Sequence, residues 1–153
     1  MNSTVQAYLQ LARLLRVDAG GGHDSVDETG PVVGCIDWTN VVKLADKEHM
    51  TGALAVTLRR QENYKLLPPS LRGALDRRNL MGAEFNKRLK RQAEEAIRTF
   101  NAVGCTPMLL KGALYLFEAP PEELGGRFMR DIDLVVPEES IDTCIRSLRE
   151  IGY

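Results

Sequence analysis

The chain has 153 residues, 44% of them hydrophobic and 27% charged, the proportions of a soluble globular protein with room for one ordinary domain or one plus a fragment. Its 20 Lys and Arg against 21 Asp and Glu leave a net charge near −1, so bulk charge selects neither for nor against a polyanionic partner. No apolar run approaches the roughly 18 residues of a membrane span, and Met1-Asn2-Ser3-Thr4 lacks the basic-then-apolar order of a secretory signal, so no membrane partner is expected. Cys35, Cys105 and Cys144 are an odd, scattered set without zinc or redox spacing, which predicts reduced, mostly buried thiols in a cytoplasmic protein. His23 and His49 are no better placed for metal, and both are expected to be solvated.

The first predicted element is a helix opened by the Ser3-x-x-Gln6 capping box, with Val5, Tyr8, Leu9, Ala12 and Leu15 on one face. Gly, acidic residues and Pro then dominate residues 19 to 34, the composition of a flexible loop. Asp37 can cap a second helix whose face holds Trp38, Val41, Val42 and Ala45, and Thr51 a third through Leu54, Val56 and Leu58. After Pro68-Pro69, Ser70 can cap a long helix from Leu71 to about Ala102, with Met81, Phe85, Leu89, Ala93, Ala96, Phe100 and Val103 as its apolar stripe and Gly104 as terminator.

The hydrophobic period then changes. Pro107 to Leu110 reads as a short buried strand, Gly112 to Phe117 as a short helix ended by Pro120-Pro121, and Ile132 to Val136 as a second buried strand. Glu138 and Glu139 open a final helix with Ile141, Cys144, Ile145, Leu148 and Ile151 on one face, and Gly152 can end it. The expected class is α+β: a helical region over residues 1–104, then strand, helix, strand, helix over residues 105–153 as the first half of a mixed sheet. Two strands cannot bury both faces of a sheet, so the rest is expected from a longer protein, or from an oligomer or completing chain. Charge is uneven: Leu54 to Phe100 holds 11 Lys and Arg against 5 Asp and Glu, a surplus of +6 that fits either a solvated surface or a face toward phosphate.

The chemistry lies between Leu109 and Val136. Residues two apart on a strand share a face, so Asp131 and Asp133 project together while Ile132 and Leu134 go to the other side. Two adjacent carboxylates call for something positive between them, and hard oxygen donors suit Mg²⁺ completed by water and substrate phosphate. Upstream, Leu110-Lys111-Gly112 is a turn from strand into helix. Backbone N–H groups, the Lys111 charge and the close approach that Gly112 permits would all meet a phosphate there. Arg127 could neutralise phosphate charge on the leaving group. A lone Asp-x-Asp occurs by chance at many strand edges. The ordered series of strand, Lys-Gly, helix, Arg and Asp-x-Asp strand is far more specific.

That series resembles the uncharacterised nucleotidyltransferase family of the polymerase-β-like superfamily, whose members carry a Leu-Lys-Gly turn, an Arg and an Asp-Ile-Asp-Leu-(Leu/Val)-Val strand. Matching residues are Leu110-Lys111-Gly112, Arg127-Phe128-Met129-Arg130 and Asp131-Ile132-Asp133-Leu134-Val135-Val136, with Asp37-Trp38, Leu44-Ala45, His49 and Gly152-Tyr153 adding to a likeness over residues 36 to 153. Nucleotidyltransferase toxins of bacterial abortive-infection systems are similar at greater distance.

The resemblance implies a short mixed sheet flanked by helices and transfer of a nucleoside monophosphate from an NTP, ATP among the candidates, to an acceptor. It makes Asp131 and Asp133 the catalytic ligands of Mg²⁺ (or Mn²⁺), Lys111 and Gly112 the triphosphate-binding turn, and Arg127 an accessory phosphate contact. The acceptor it implies is a peptide or a small molecule, and the basic face between Leu54 and Phe100 would fit a tRNA acceptor. The superfamily places a third carboxylate on a later strand, and no upstream Asp or Glu here is assigned that role. The alternative reading is therefore a truncated, non-catalytic nucleotide- or partner-binding module.

Overall fold

A computed structural model describes residues 3–15, 36–61 and 63–153. The expected loop at residues 19–34, with His23 and Cys35, lies outside them, and Ser3, expected to cap the first helix, is its first helical residue among those described. The described helices are α1 (Ser3–Leu14), α2 (Trp38–Lys47), α3 (Thr51–Arg60), α4 (Pro69–Ala102), α5 (Gly112–Glu118) and α6 (Ile141–Glu150). Strands β1 (Met108–Leu109) and β2 (Leu134–Val135) form one antiparallel pair, with Met108 opposite Val135 and Leu109 opposite Leu134. The chain is a helix-rich α+β protein. Its contacts divide into two compact units, one of residues 1–82 with Gly125–Phe128, the other of Ala83–Leu124 with Met129–Tyr153.

The first unit is built by α1, α2, α3 and the start of α4. Asp37 caps α2 as expected, its carboxylate accepting from the Asn40 N–H. Thr51 does not cap α3: it is the first helical residue and is buried, and Met50 stands at the cap without a side-chain bond. The α1 face is also corrected. Ala7, Leu11 and Leu14 are buried, whereas Val5, Tyr8 and Leu9 are exposed, because α1 carries two apolar stripes and the core of Val41, Leu44, Leu54 and Leu58 takes the other one. Tyr8 instead donates a hydrogen bond to Glu48 at 2.9 Å.

Helix α4 begins at Pro69, where a missing N–H is harmless, so Ser70 is inside the helix and not its cap. The buried row runs Leu75, Asn79, Ala83, Asn86, Leu89, Ala93, Ala96, Phe100, in a mixture of steps of three and four. This mixture follows the 3.6-residue period. Leu89, Ala93, Ala96 and Phe100 of the expected stripe lie on this row, whereas Met81 and Phe85, reached by repeated steps of four, drift off it and are exposed, as is Val103. Gly104 ends the helix at φ +79°, and Gly152 ends α6 at φ +95°.

In the second unit, the later part of α4 packs against α5 through Ala83, Leu89 and Leu116, with Leu124, Met129 and Ile132. Phe100, Cys105 and Cys144 form a second cluster, closed by Leu134, Val136 and Leu148. Cys105 and Cys144 are free, buried thiols, as expected. On α6 the buried residues are Cys144 and Ser147; Ile141, Ile145 and Ile151, expected on the inner face, are exposed. Tyr153, three residues beyond α6, donates to Glu95 of α4 at 2.8 Å.

Candidate active site

Both strands are shorter than the sequence predicts. The Asp-x-Asp pair precedes β2 and is not inside it. The ladder nevertheless continues by one bond, from the Leu110 N–H to the Asp133 carbonyl at 3.1 Å, which places Asp133 opposite Leu110 in the register of the pair. Burial follows the strand alternation except at Asp133, which is half-buried like its neighbours. Ile132, Leu134 and Val136 pack on apolar clusters, while Asp131 and Val135 are exposed.

The turn after β1 is specific. The Ala113 N–H donates to the Leu110 carbonyl at 3.0 Å, and Lys111 has φ +49° and ψ −118°. These angles belong to the first central position of a type II′ turn, which is normally glycine. Gly112 follows, buried, at the start of α5. One amide at this helix start is thus spent on the turn, and α5 is only seven residues long, so the phosphate-binding capacity of the segment rests chiefly on the Lys111 side chain.

That side chain reaches Asp133. Its Nζ lies 3.1 Å from Oδ2, with the lysine side chain 72% and the aspartate 36% exposed. An antiparallel register and an unusual turn therefore bring together two of the predicted site residues that lie 22 positions apart in sequence. Asp131 is exposed and makes no ion pair with Lys111. Arg127 belongs to the other compact unit, within Gly125–Phe128.

The Gly125–Phe128 segment is held closely within its own unit. A Cβ on Gly52 would lie 2.0 Å from the Gly125 carbonyl oxygen, and one on Gly125 would lie 2.1 Å from that of Asn79. Phe128, next to Arg127, stacks on His49 with ring centroids 4.4 Å apart and planes 13° from parallel. The expectation of a simply solvated His49 is thus corrected: the ring is exposed but stacked, on a residue at φ +57°. The only signal for this in the sequence was the position of His49 at a helix end.

The donors fit a hard cation. Both are carboxylates, and an ammonium already sits against Asp133, so a positive group is accommodated there. The set is small. Among the described residues no group of three or more His, Cys, Asp or Glu could hold a metal ion. Two carboxylates completed by water and substrate phosphate is the usual mode of Mg²⁺.

Comparison with known proteins bears on the same segment. The family model described as "Uncharacterised nucleotidyltransferase" matches residues 34–153. The chain belongs to that family, whose activity class is nucleotidyl transfer. No curated protein and no solved structure matches it. No helix among the described residues is long and apolar enough to cross a membrane.

Proposed function

We propose that this member of the family transfers a nucleoside monophosphate from an NTP to an acceptor, with Asp131 and Asp133 holding Mg²⁺ or Mn²⁺ and Lys111 and Gly112 receiving the triphosphate. The observation that carries the reading is the 3.1 Å approach of Lys111 to Asp133, which puts a phosphate-seeking cation and a metal-seeking carboxylate at one place. A bound divalent ion would neutralise the triphosphate and align it for in-line displacement. The acceptor nucleophile then forms a bond to the α-phosphorus as the bond to the β-bridging oxygen breaks and pyrophosphate departs. Lys111 contributes a point charge to the departing oxygens. Gly112 keeps the backbone slim beside the phosphates. Arg127 is retained as an accessory phosphate contact on the family motif alone. The acceptor is a peptide, a small molecule or a tRNA, and the base of the NTP is not prescribed by any described residue.

The absence of a third acidic ligand among the described residues favours one second reading, a nucleotide-binding module without turnover. Isothermal titration with ATP, GTP, CTP and UTP in Mg²⁺ tests the binding common to both, and transfer of an α-labelled phosphate separates them. The expected result is heat with at least one nucleotide, lost in the Asp131→Asn/Asp133→Asn double variant. No heat with any nucleotide, or binding that survives the double substitution, contradicts the proposal.

A further inference from the structure

We propose that Lys111 is an internal counter-ion that competes with the divalent metal for Asp133, so that metal binds weakly until a polyphosphate claims the ammonium. The inference rests on the metal-and-nucleotide reading of this site and adds how its two ligands depend on each other.

Three observations carry it. The Lys111 Nζ already occupies Oδ2 of Asp133 at 3.1 Å, where a metal ligated by that oxygen would need to approach. The backbone supports this arrangement at both ends: Asp133 is fixed by the Leu110 N–H, and Lys111 is held at φ +49° by the turn closed between Leu110 and Ala113. The lysine is 72% exposed, and exposed ion pairs are weak, so nothing prevents a stronger anion from drawing the side chain away.

Charge sets the direction of the effect. With the ammonium in place, the two carboxylates present a net charge of about −1 to an incoming divalent ion; without it they present about −2. A nucleoside triphosphate offers Lys111 several phosphate oxygens in exchange for one carboxylate oxygen. The metal arriving with that nucleotide then meets both carboxylates unneutralised. Binding of either ligand therefore favours the other, and linkage makes the factor the same in both directions.

The test is Mn²⁺ binding by the nucleotide-free chain, read from the paramagnetic resonance of free Mn²⁺, paired with calorimetric affinity for the Mg²⁺–nucleotide complex. Both are measured for the wild type, Lys111→Gln and Lys111→Gly, the glycine variant being compatible with the turn. Typical couplings between linked sites, about 5- to 150-fold, set the scale. Lys111→Gln and Lys111→Gly are expected to bind Mn²⁺ at least about fivefold more tightly than wild type, and to bind nucleotide at least about fivefold more weakly. A merely structural role would move both affinities the same way. The Mn²⁺ gain is expected to vanish when Asp133→Asn is added. Unchanged or weaker Mn²⁺ binding in both variants, with wild-type Mn²⁺ binding still dependent on Asp133, overturns this inference and leaves the metal site standing. Absence of Mn²⁺ binding in every variant, with or without nucleotide, overturns the inference and the site reading together.

Discussion

At Lys111 the backbone adopts φ +49° and ψ −118°, a conformation that a glycine enters freely and a side chain enters only under strain of about 1–3 kcal/mol. Strain of this kind persists where the surrounding structure over-determines it, and here the Leu110–Ala113 bond and the Leu110–Asp133 bond both do so. Alanine and glycine at this position lack the ion pair equally, so comparing them isolates the backbone cost. Lys111→Gly is expected to be more stable than Lys111→Ala by about 1–2 kcal/mol in urea unfolding, the reverse of the ordinary order. An alanine variant equal to or more stable than glycine would remove the strain from the account. Asp76 supplies a second prediction at this scale. Its carboxylate accepts from Tyr64 and pairs with Arg59, and the Tyr64 hydrogen bond, followed by the Arg59 contacts, holds its pKa below the ordinary 3.8 against the effect of desolvation. A depressed carboxylate stabilises the fold above its unfolded pKa and loses that contribution as pH falls through the folded one. The melting-temperature gap between wild type and Asp76→Asn is therefore expected at neutral pH and should close below about pH 3.8; a gap that grows on acidification would contradict it.

Among the elements, close packing decides what the periodicities leave open. The sequence shows that α2 is capped by Asp37 and that α5 starts after Lys111, because each boundary has its own local signal. It does not show that α4 buries Asn79 and Asn86, since polar residues interrupt the apolar row and shift the apparent stripe to the exposed Met81 and Phe85. The Asn86 amide donates to the Leu124 carbonyl at 2.7 Å, which satisfies a polar group that would be costly to bury alone. The α1 face was ambiguous for a related reason, as apolar residues occupy two sides of that helix. Glycines test this description directly. Gly52→Ala and Gly125→Ala would drive a methyl to about 2 Å from a backbone carbonyl, and each is expected to cost at least about 1–3 kcal/mol in chemical unfolding. Gly73→Ala, inside α4 with only the Arg77 guanidinium nearby at 3.5 Å, should instead stabilise by about 0.5–1 kcal/mol. Similar effects at all three positions would contradict the close approach.

Across the whole molecule, the α+β class and the order strand, helix, strand, helix were legible because the hydrophobic period changes after Gly104. The family was legible too, from a handful of residues around Lys111 and Asp133, and the match over residues 34–153 nearly coincides with the stretch that carries the resemblance. The antiparallel pairing was not legible, because strands of two residues carry no register signal of their own. The Lys111–Asp133 ion pair follows from that register and from the II′ turn together, so spacing alone could not reveal it. Of the basic residues between Leu54 and Phe100, Arg59, Arg78 and Lys87 pair with Asp76, Asp46 and Glu84; only Asp46 lies outside that stretch, so the pairing leaves most of the surplus in place. The measurement that bears most directly on the proposed chemistry is anomalous diffraction from a crystal of this chain grown with Mn²⁺ and a non-hydrolysable NTP analogue. A manganese peak bridging Asp131, Asp133 and the triphosphate, with the Lys111 ammonium moved onto phosphate, is the predicted result. Nucleotide bound away from the two aspartates, or no manganese between them, would contradict it.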